Sequence, residues 1–311
     1  MENKKPLVSV ITPSYNQGRF IEETIKSVLS QDYPNIEYIV VDGGSTDNTL
    51  NILKKYEGRL KWVSEKDRGQ ADAIAKGFGM SKGEILAWLN SDDTYLPGAI
   101  SKVVDSFSSD PGAGMVYGRA YFTDEAGNII NQYPTDRFDY ERLASFNFIC
   151  QPSAFFKRGV YFDSGGLNLD LRYALDYDLW LRICKKYRVA YIPEILSAYR
   201  LHEESKTISD SHDSKFEEYL KTAIKYYHRA PLNRVYVYCY YLVKNRMPLF
   251  LSNFRPAVIL PSLFVTAIEY LRLNRGIRME DLKLMNPGNL KKIFGGWEAS
   301  DILKKGRRIL K

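Results

Sequence analysis

Two periodicities alternate through the first hundred residues, and that alternation limits the fold more than any other feature of the chain. The runs LVSVITPSY (7–15), IEYIVVDGG (36–44), LKWVSEK (60–66) and EILAWLNS (84–91) are short, apolar and rich in β-branched residues, as buried strands are. Helical patterns separate them. Ile21, Ile25, Val28 and Leu29 share one face of residues 18–32, and Ser45 or Thr46 stands where it can cap a helix through Leu50 and Leu53. A third helix is predicted from about Gln70 to Met80, and Pro97 suits the first turn of a fourth through Ile100, Val103, Val104 and Phe107. Strand–helix–strand repetition of this kind predicts an α/β fold: a mainly parallel, Rossmann-like sheet flanked by helices.

Sheets of that class bind ligands beyond the carboxyl ends of their strands. Polar clusters stand at all four of those ends: Thr12 to Asn16, Asp42 to Asp47, Ser64 to Gln70 and Asn90 to Asp93. The sequence has no GxGxxG after its first strand and no GxxxxGK[ST], which disfavours a dinucleotide fold and a P-loop. Carboxylates dominate the site instead, and a metal would reconcile them with an anionic ligand.

Asp92 and Asp93 follow a buried strand. Neighbours in a regular strand point to opposite faces, so the pair can share a ligand only in the turn leaving it. Mg²⁺ and Mn²⁺ take hard oxygen ligands, commonly one or two carboxylates with phosphate oxygens. The competing reading is an Asp that caps the following helix. Asp42 precedes Gly43-Gly44 and reads either as a turn-shaping residue or as an acceptor for a ribose or base, with the glycines permitting close approach. Asp176 and Asp178 begin an amphipathic helix over 176–187. Both suit the helix dipole, and one of them, Asp176, suits a general base. His202 follows a strand-like segment, 189–202, near Arg200; it reads as a surface residue or as a ligand for metal or phosphate.

From about residue 113 the runs MVYGRAYFTD, NIINQYP and QPSAFFKR predict antiparallel additions to the sheet, and after Ser211 the chain reads as helical and aromatic-rich. The segment 256–273 is apolar but is interrupted by Pro261, Glu269 and Arg272. It reads as too short for a membrane span and as a core or membrane-surface helix. Tyr236, Tyr238, Tyr240 and Tyr241 are expected in a core or an interface. The expected division is a domain over 1–225, with a nucleotide-binding half at about 6–112 and an acceptor half at about 113–205, followed by a basic helical extension, 226–311.

Charge is uneven: residues 226–311 carry 16 Lys+Arg against 5 Asp+Glu, whereas the first 225 carry 28 against 32. A basic tail can meet nucleic acid, an anionic membrane or water. No nucleic-acid reading module accompanies this one, so nucleic acid is not an expected partner. Cys150, Cys184 and Cys239 are far apart and form no CxxC, which argues against a disulfide framework and structural zinc. With no apolar signal core at the N-terminus, the expected location is the cytoplasm, with the inner face of a membrane within reach.

The blocks ITPSYNQ, VVDGGSTDNT, DRGQADAIAKGF, LNSDD and ALDYDLWLR, in that order over roughly residues 6 to 205, resemble the family 2 inverting glycosyltransferases of the GT-A fold. The resemblance implies a metal-dependent transferase that moves a sugar, UDP-linked in the first instance, from a nucleoside diphosphate to a glycan or lipid-linked glycan in bacterial cell-surface polysaccharide synthesis. By the same resemblance Thr12 and Asp42 contact the nucleoside, Tyr15 lies beside the base, and Arg68 and Asp72 assist the nucleotide. Asp92 and Asp93 hold a divalent cation, Mn²⁺ or Mg²⁺, Asp92 also meeting the donor; His202 lies near diphosphate and metal; Asp176 is the base. Residues Phe146 to Phe156 are expected to shape the acceptor end. Three positions depart from the family pattern: Asn90 and Leu175 stand where acids are common, and Ala75 replaces an Asn. The alternatives are a sugar nucleotidyltransferase, for which TPSYNQGRF is poor in Gly and basic residues, and a non-catalytic nucleotide-binding scaffold.

Overall fold

The computed structural model describes residues 5–209, 213–279 and 281. Its contacts divide the chain into two units: one holds the described residues up to Phe138 with Phe148–Arg200, the other Asp139–Asn147 with the described residues from Leu201 onward. The division falls at Arg200/Leu201 instead of residue 225, because the helix Asp213–Tyr227 packs with later helices.

The first unit begins as the periodicities predict. Strands β1 (Val8–Ser14), β2 (Ile36–Asp42), β3 (Lys61–Ser64) and β4 (Ile85–Trp88) alternate with helices α1 (Ile21–Leu29), α2 (Thr49–Lys55) and α3 (Gln70–Met80). All four strands are parallel, in the order β3-β2-β1-β4. Every residue of β1 is buried, as expected of a strand covered on both faces. Ile21, Ile25 and Val28 of α1 join Val8, Val10, Val40 and Ile100 in one apolar core. Register lines up the carboxyl ends: Ser14 lies opposite Asp42, and Asp42 opposite Ser64.

Beyond β4 the order continues β8-β6-β9-β5, built from β5 (Thr94–Tyr95), β6 (Ala113–Thr123), β8 (Ala154–Lys157) and β9 (Arg188–Arg200), with β7 (Ile129–Gln132) beside β6. β8 pairs antiparallel with β4 and β6, as expected; β9 instead runs parallel to β6 along nearly its whole length. Helices α4 (Ala99–Ser109), α6 (Arg158–Asp163) and α7 (Leu175–Lys186) complete this unit, while α5 (Tyr140–Ser145) lies in the second. Pro97 does not open α4. Gly98, left-handed at φ +75°, intervenes, and Pro97 and Gly98 form the turn closed by the Ala99 N–H on the Leu96 carbonyl.

The second unit is helical: α5, α8 (Lys206–Ser209), α9 (Asp213–Tyr227), α10 (Leu232–Arg246), α11 (Leu249–Ser252) and α12 (Arg255–Asn274). Leu220, Ala230, Val235, Cys239 and Tyr270 form its apolar cluster. Tyr236 and Tyr241 are buried, in keeping with a core role. The Tyr270 hydroxyl donates to Asp281 (2.6 Å), which also pairs with Arg229. Burial and that carboxylate push the Tyr270 phenol up to about 12. α12 corrects one expectation. Pro261 does not end it, and its 20 residues are long and apolar enough to cross a membrane by length and composition.

Candidate active site

Each polar cluster at the strand ends is bonded to the next. In the β1–α1 loop, Asn16 accepts the Thr46 N–H (2.8 Å) and gives its own N–H to Ser45 Oγ (2.7 Å). Gly18 N–H reaches Asp47 Oδ2 (2.8 Å), and Asp47 also takes the Thr49 N–H at the start of α2. The N-cap residue of α2 is Asn48, whose side chain makes no cap bond; the Thr49 N–H is taken by Asp47, not by Ser45 or Thr46. Gly43 lies so close to the third loop that a Cβ there would come within 2.7 Å of Asp67 Oδ2, and Gly44 adopts φ +84°. The left-handed backbone of Gly44 favours glycine, whereas a side chain at Gly43 would require the Asp67 carboxylate to move aside.

Asp42 is fully buried and engaged by protein donors. Oδ2 accepts from Gly44 N, Ser45 N and Ser64 Oγ; Oδ1 accepts from Ser45 Oγ. Its visible work is shaping the loop. Thr12 is also buried, and its hydroxyl meets Tyr38 OH (3.0 Å) inside the fold. Tyr15, three residues on, leaves 61% of its surface exposed at the strand end, available as a flat apolar platform. Ser14 was not singled out by its sequence context, yet its Oγ is buried with no hydrogen-bond partner in the protein. Arg68 and Asp72 form an exposed pair (3.0 Å), which holds the Asp72 carboxyl below its usual range.

The fourth loop turns on Asn90. Its side-chain Oδ1 accepts from Gln70 Nε2 (2.8 Å), and its Nδ2 donates to Asp93 Oδ2 (3.1 Å) and Gln151 Oε1 (3.0 Å). Gln151 Nε2 then donates to the Trp88 carbonyl (2.8 Å). Neither amide stood out from sequence; the signal available was an Asn where an acid is usual. The Asp93 N–H donates to the Asn90 carbonyl (3.1 Å), closing the turn that holds the paired acids.

Those acids occupy different environments. Asp93 is fully buried, and its Oδ1 accepts the Arg200 N–H (3.0 Å). Burial raises its carboxyl well above the usual range, and the Asp92 charge adds to the rise; the Arg200 N–H and the Asn90 amide oppose it. Asp92 is only half-buried. Its carbonyl is held by Arg200 Nε (2.8 Å), while the other arms of that guanidinium reach the Glu125 carbonyl and Glu23. Arg200 thus fixes the backbone of the turn, through the Asp92 carbonyl and the Asp93 carboxylate.

The two acids of α7 are not interchangeable. Asp178 is buried and bound by Arg182 Nε and Nη2 (3.0 and 2.7 Å) at i+4. Asp176 is half-buried in the first turn. One buried atom links it to the fourth loop: burial raises the Cys150 thiol well above its usual range, with further contributions from the charges of Asp93 and Asp176. Both carboxylates therefore lie within electrostatic reach of Cys150. Trp180, at i+4 from Asp176, stacks on Trp88 with ring centres 5.4 Å apart, which ties α7 to β4. His202 belongs to the second unit, where it is buried and its carbonyl accepts from Ser205.

Residues 9–166, about half of the chain, match the model of the glycosyl transferase family 2. The chain belongs to that family. This glycosyltransferase is 32% identical over 230 residues to an uncharacterized glycosyltransferase of Haemophilus influenzae, covering 68% of this chain and 71% of that one. It is 30% identical over 241 residues to chondroitin synthase of Escherichia coli, covering 74% of this chain but only 35% of the synthase. The chain thus spans about a third of that relative's length. In fold it resembles S. aureus TarS 1–349, solved with UDP-GlcNAc, at TM-score 0.59 and 16% identity, covering 97% and 92% of the two chains. It also resembles the mannosyltransferase PcManGT of Pyrobaculum calidifontis, solved with GDP-Man and Mn²⁺, at TM-score 0.56 and 18% identity, covering 98% and 87%. The GT-A fold follows, with its mixed sheet, flanking helices and C-terminal helices. Family membership favours glycosyl transfer over nucleotidyl transfer.

Proposed function

We propose that this glycosyltransferase moves a sugar, with inversion, from a nucleoside-diphosphate donor to a hydroxyl of a glycan or lipid-linked glycan in cell-surface polysaccharide synthesis. The observation that carries the reading is the contrast within the acidic turn. Asp93 is buried and bonded to Arg200 and Asn90, while Asp92 is half-buried beside it. A uridine diphosphate sugar is the first donor to test, supported by TarS, solved with UDP-GlcNAc and with UDP; the synthases of chondroitin and hyaluronan among the relatives support polysaccharide synthesis. A GDP-linked donor is the comparison that PcManGT suggests.

The donor set fits a divalent cation. It consists of adjacent carboxylates; burial first, and then the Asp92 charge, push Asp93 toward its neutral form, and a cation would offset both. No cluster of three or more His, Cys, Asp or Glu exists among the described residues, so the protein would supply Asp92 and Asp93 and the diphosphate would complete the shell, a usual arrangement for Mg²⁺. A bound Mg²⁺ or Mn²⁺ supplies Lewis-acid stabilisation of the departing diphosphate. Asp92 takes the larger share of the cation in this reading, and Asp93, which also holds the turn through Arg200 and Asn90, the smaller.

Tyr15 offers its exposed ring to the base, Ser14 its orphan hydroxyl to the donor, and Arg68 its charge to the phosphates. The Asp42 loop brings glycine backbone close to the nucleoside, and Thr12 supports it from within. Asp176 accepts the proton of the acceptor hydroxyl on the face opposite the leaving group, so one displacement inverts the anomeric centre. Of the stretch Phe146 to Phe156 expected at the acceptor end, half-buried Gln151 is the residue suited to border an acceptor, whereas Phe155 and Phe156 are fully buried in the core. A role for His202 at the diphosphate rests on the family resemblance alone.

A panel of nucleotide sugars with Mn²⁺, read as nucleoside diphosphate release in the presence of glycan acceptors, tests the reading. Release from one donor class, dependent on Asp176, is expected. Binding without turnover across every donor would favour the scaffold reading.

A further inference from the structure

Helix α12 is amphipathic the wrong way round for a helix of a water-exposed domain. Its buried stripe is Val258, Ser262, Thr266 and Tyr270, spaced by four residues. Its outward stripe is Leu260, Leu263, Phe264, Ile268 and Leu271, with Leu260 and Phe264 each 70% exposed. Helices at the surface of soluble domains turn their apolar stripe inward. Here the hydroxyl-bearing residues face the protein and the largest apolar ones face out. The inward hydroxyls need no water, because Ser262 Oγ donates to the Val258 carbonyl and Thr266 Oγ1 to the Ser262 carbonyl, both at 2.6 Å.

The apolar surface continues past the helix. Leu249 and Phe250 of α11 are 82% and 75% exposed, and Phe254, just before α12, is also exposed. An apolar surface of this extent marks an interaction site. Charge identifies the partner. Residues 244–279 carry six Lys+Arg and one Asp or Glu. Lys244, Arg246 and Arg255 lie toward one end of the apolar stripe, and Arg272, Arg275 and Arg278 toward the other; the single acid, Glu269, accepts from Arg272. A second copy would bring the same cations against these, whereas a surface of acyl chains beneath anionic headgroups matches both features. Because the inner stripe packs toward Val235 and Cys239 of α10, the helix is suited to lying in the interface and not to crossing it.

We propose that the outer face of α11 and α12 docks on an anionic lipid bilayer, with Leu260, Phe264 and Ile268 in the headgroup–acyl boundary and the flanking basic residues on the headgroups. The sequence left 256–273 between a core helix and a membrane-surface helix; the outward apolar stripe favours the second. This inference is independent of the donor and of the transfer chemistry.

The test is flotation of the full chain with vesicles of phosphatidylcholine alone and of phosphatidylcholine mixed with phosphatidylglycerol. The wild type should float with the anionic vesicles, and Leu260→Ser/Phe264→Ser/Ile268→Ser should lower the bound fraction by at least about tenfold. These exposed changes should leave the circular-dichroism spectrum and melting temperature in place. A second readout avoids any loss of folding: Phe264→Trp should add fluorescence that brominated phosphatidylcholine, included in the anionic vesicles, quenches. Equal flotation of wild type and triple variant, or no flotation of the wild type, would overturn the proposal. So would a dimer, seen by light scattering, that the triple variant breaks without any vesicle binding, since the face would then belong to a second copy.

Discussion

Arg200 holds Asp93 and its neighbour by two different parts of one residue. Its backbone N–H donates to Asp93 Oδ1 at 3.0 Å, and its guanidinium Nε donates to the Asp92 carbonyl at 2.8 Å. The strand end of β9 and the acidic turn after β4 are thereby one rigid object. Arg200→Ala keeps the first bond and removes the second, together with the bonds to Glu125 and Glu23. The expected loss of stability is about 1.5–3 kcal/mol, the range for hydrogen bonds to a charged group. Donor KM should rise as the turn loosens. Urea denaturation and donor-concentration series measure the two effects, and an unchanged KM would remove Arg200 from site positioning.

Asp176 and Asp178 give a paired test. Asp176→Asn should lower transfer by about 10²–10⁴-fold, the usual contribution of a general base, with donor affinity retained. Asp178→Asn weakens the buried pair with Arg182 and should act on stability first, seen as a lower melting temperature. Both variants belong in one assay of turnover, donor binding and melting. A fall in donor affinity for Asp176→Asn equal to its fall in turnover would make that residue structural.

Glu37 predicts the acid limb of stability. Burial tends to raise its carboxyl, but bonds from Lys61, Ser9 and the Lys82 N–H outweigh this and hold it below the usual range. A depressed folded value stabilises the fold above the unfolded value, about 4.3, and that stability is lost as pH falls through the folded value. The wild type should therefore lose more stability than Glu37→Gln below about pH 5. Melting temperatures across that range decide the point; parallel curves would mean that Glu37 contributes nothing there.

Asn90→Asp probes the amide hub. The change removes the donors to Asp93 and Gln151 and sets a third carboxylate beside two others. Without divalent cation the variant should be less stable by about 1–3 kcal/mol, the cost of leaving buried partners unsatisfied. Mn²⁺ should stabilise it more than it stabilises the wild type. Melting curves with and without Mn²⁺ test this, and equal shifts would separate Asn90 from the cation site.

The first four strands and their helices were legible because burial on both faces writes continuous apolar runs that local pattern reveals. The pairing of β9 with β6 was not, since parallel strands some seventy residues apart leave no local mark. Nor was β5, whose two residues are strand only because Ala198 and Ser197 pair with them. The location of the paired acids in a turn could be read from Thr94 to Pro97, but adjacency gave no sign of which acid Arg200 would bury. The inequality of Asp176 and Asp178 was latent in the i,i+4 spacing of Asp178 and Arg182. Gln70 and Gln151 carried no signal, because an amide acquires its meaning from the partner the fold brings to it.

The most direct test of the account is calorimetric titration of UDP into the wild type, Asp92→Ala and Asp93→Asn, each with and without Mn²⁺. The account predicts that Mn²⁺ strengthens UDP binding to the wild type, that Asp92→Ala removes that gain, and that Asp93→Asn lowers the melting temperature while keeping part of the gain. A gain in Asp92→Ala equal to that of the wild type would contradict it.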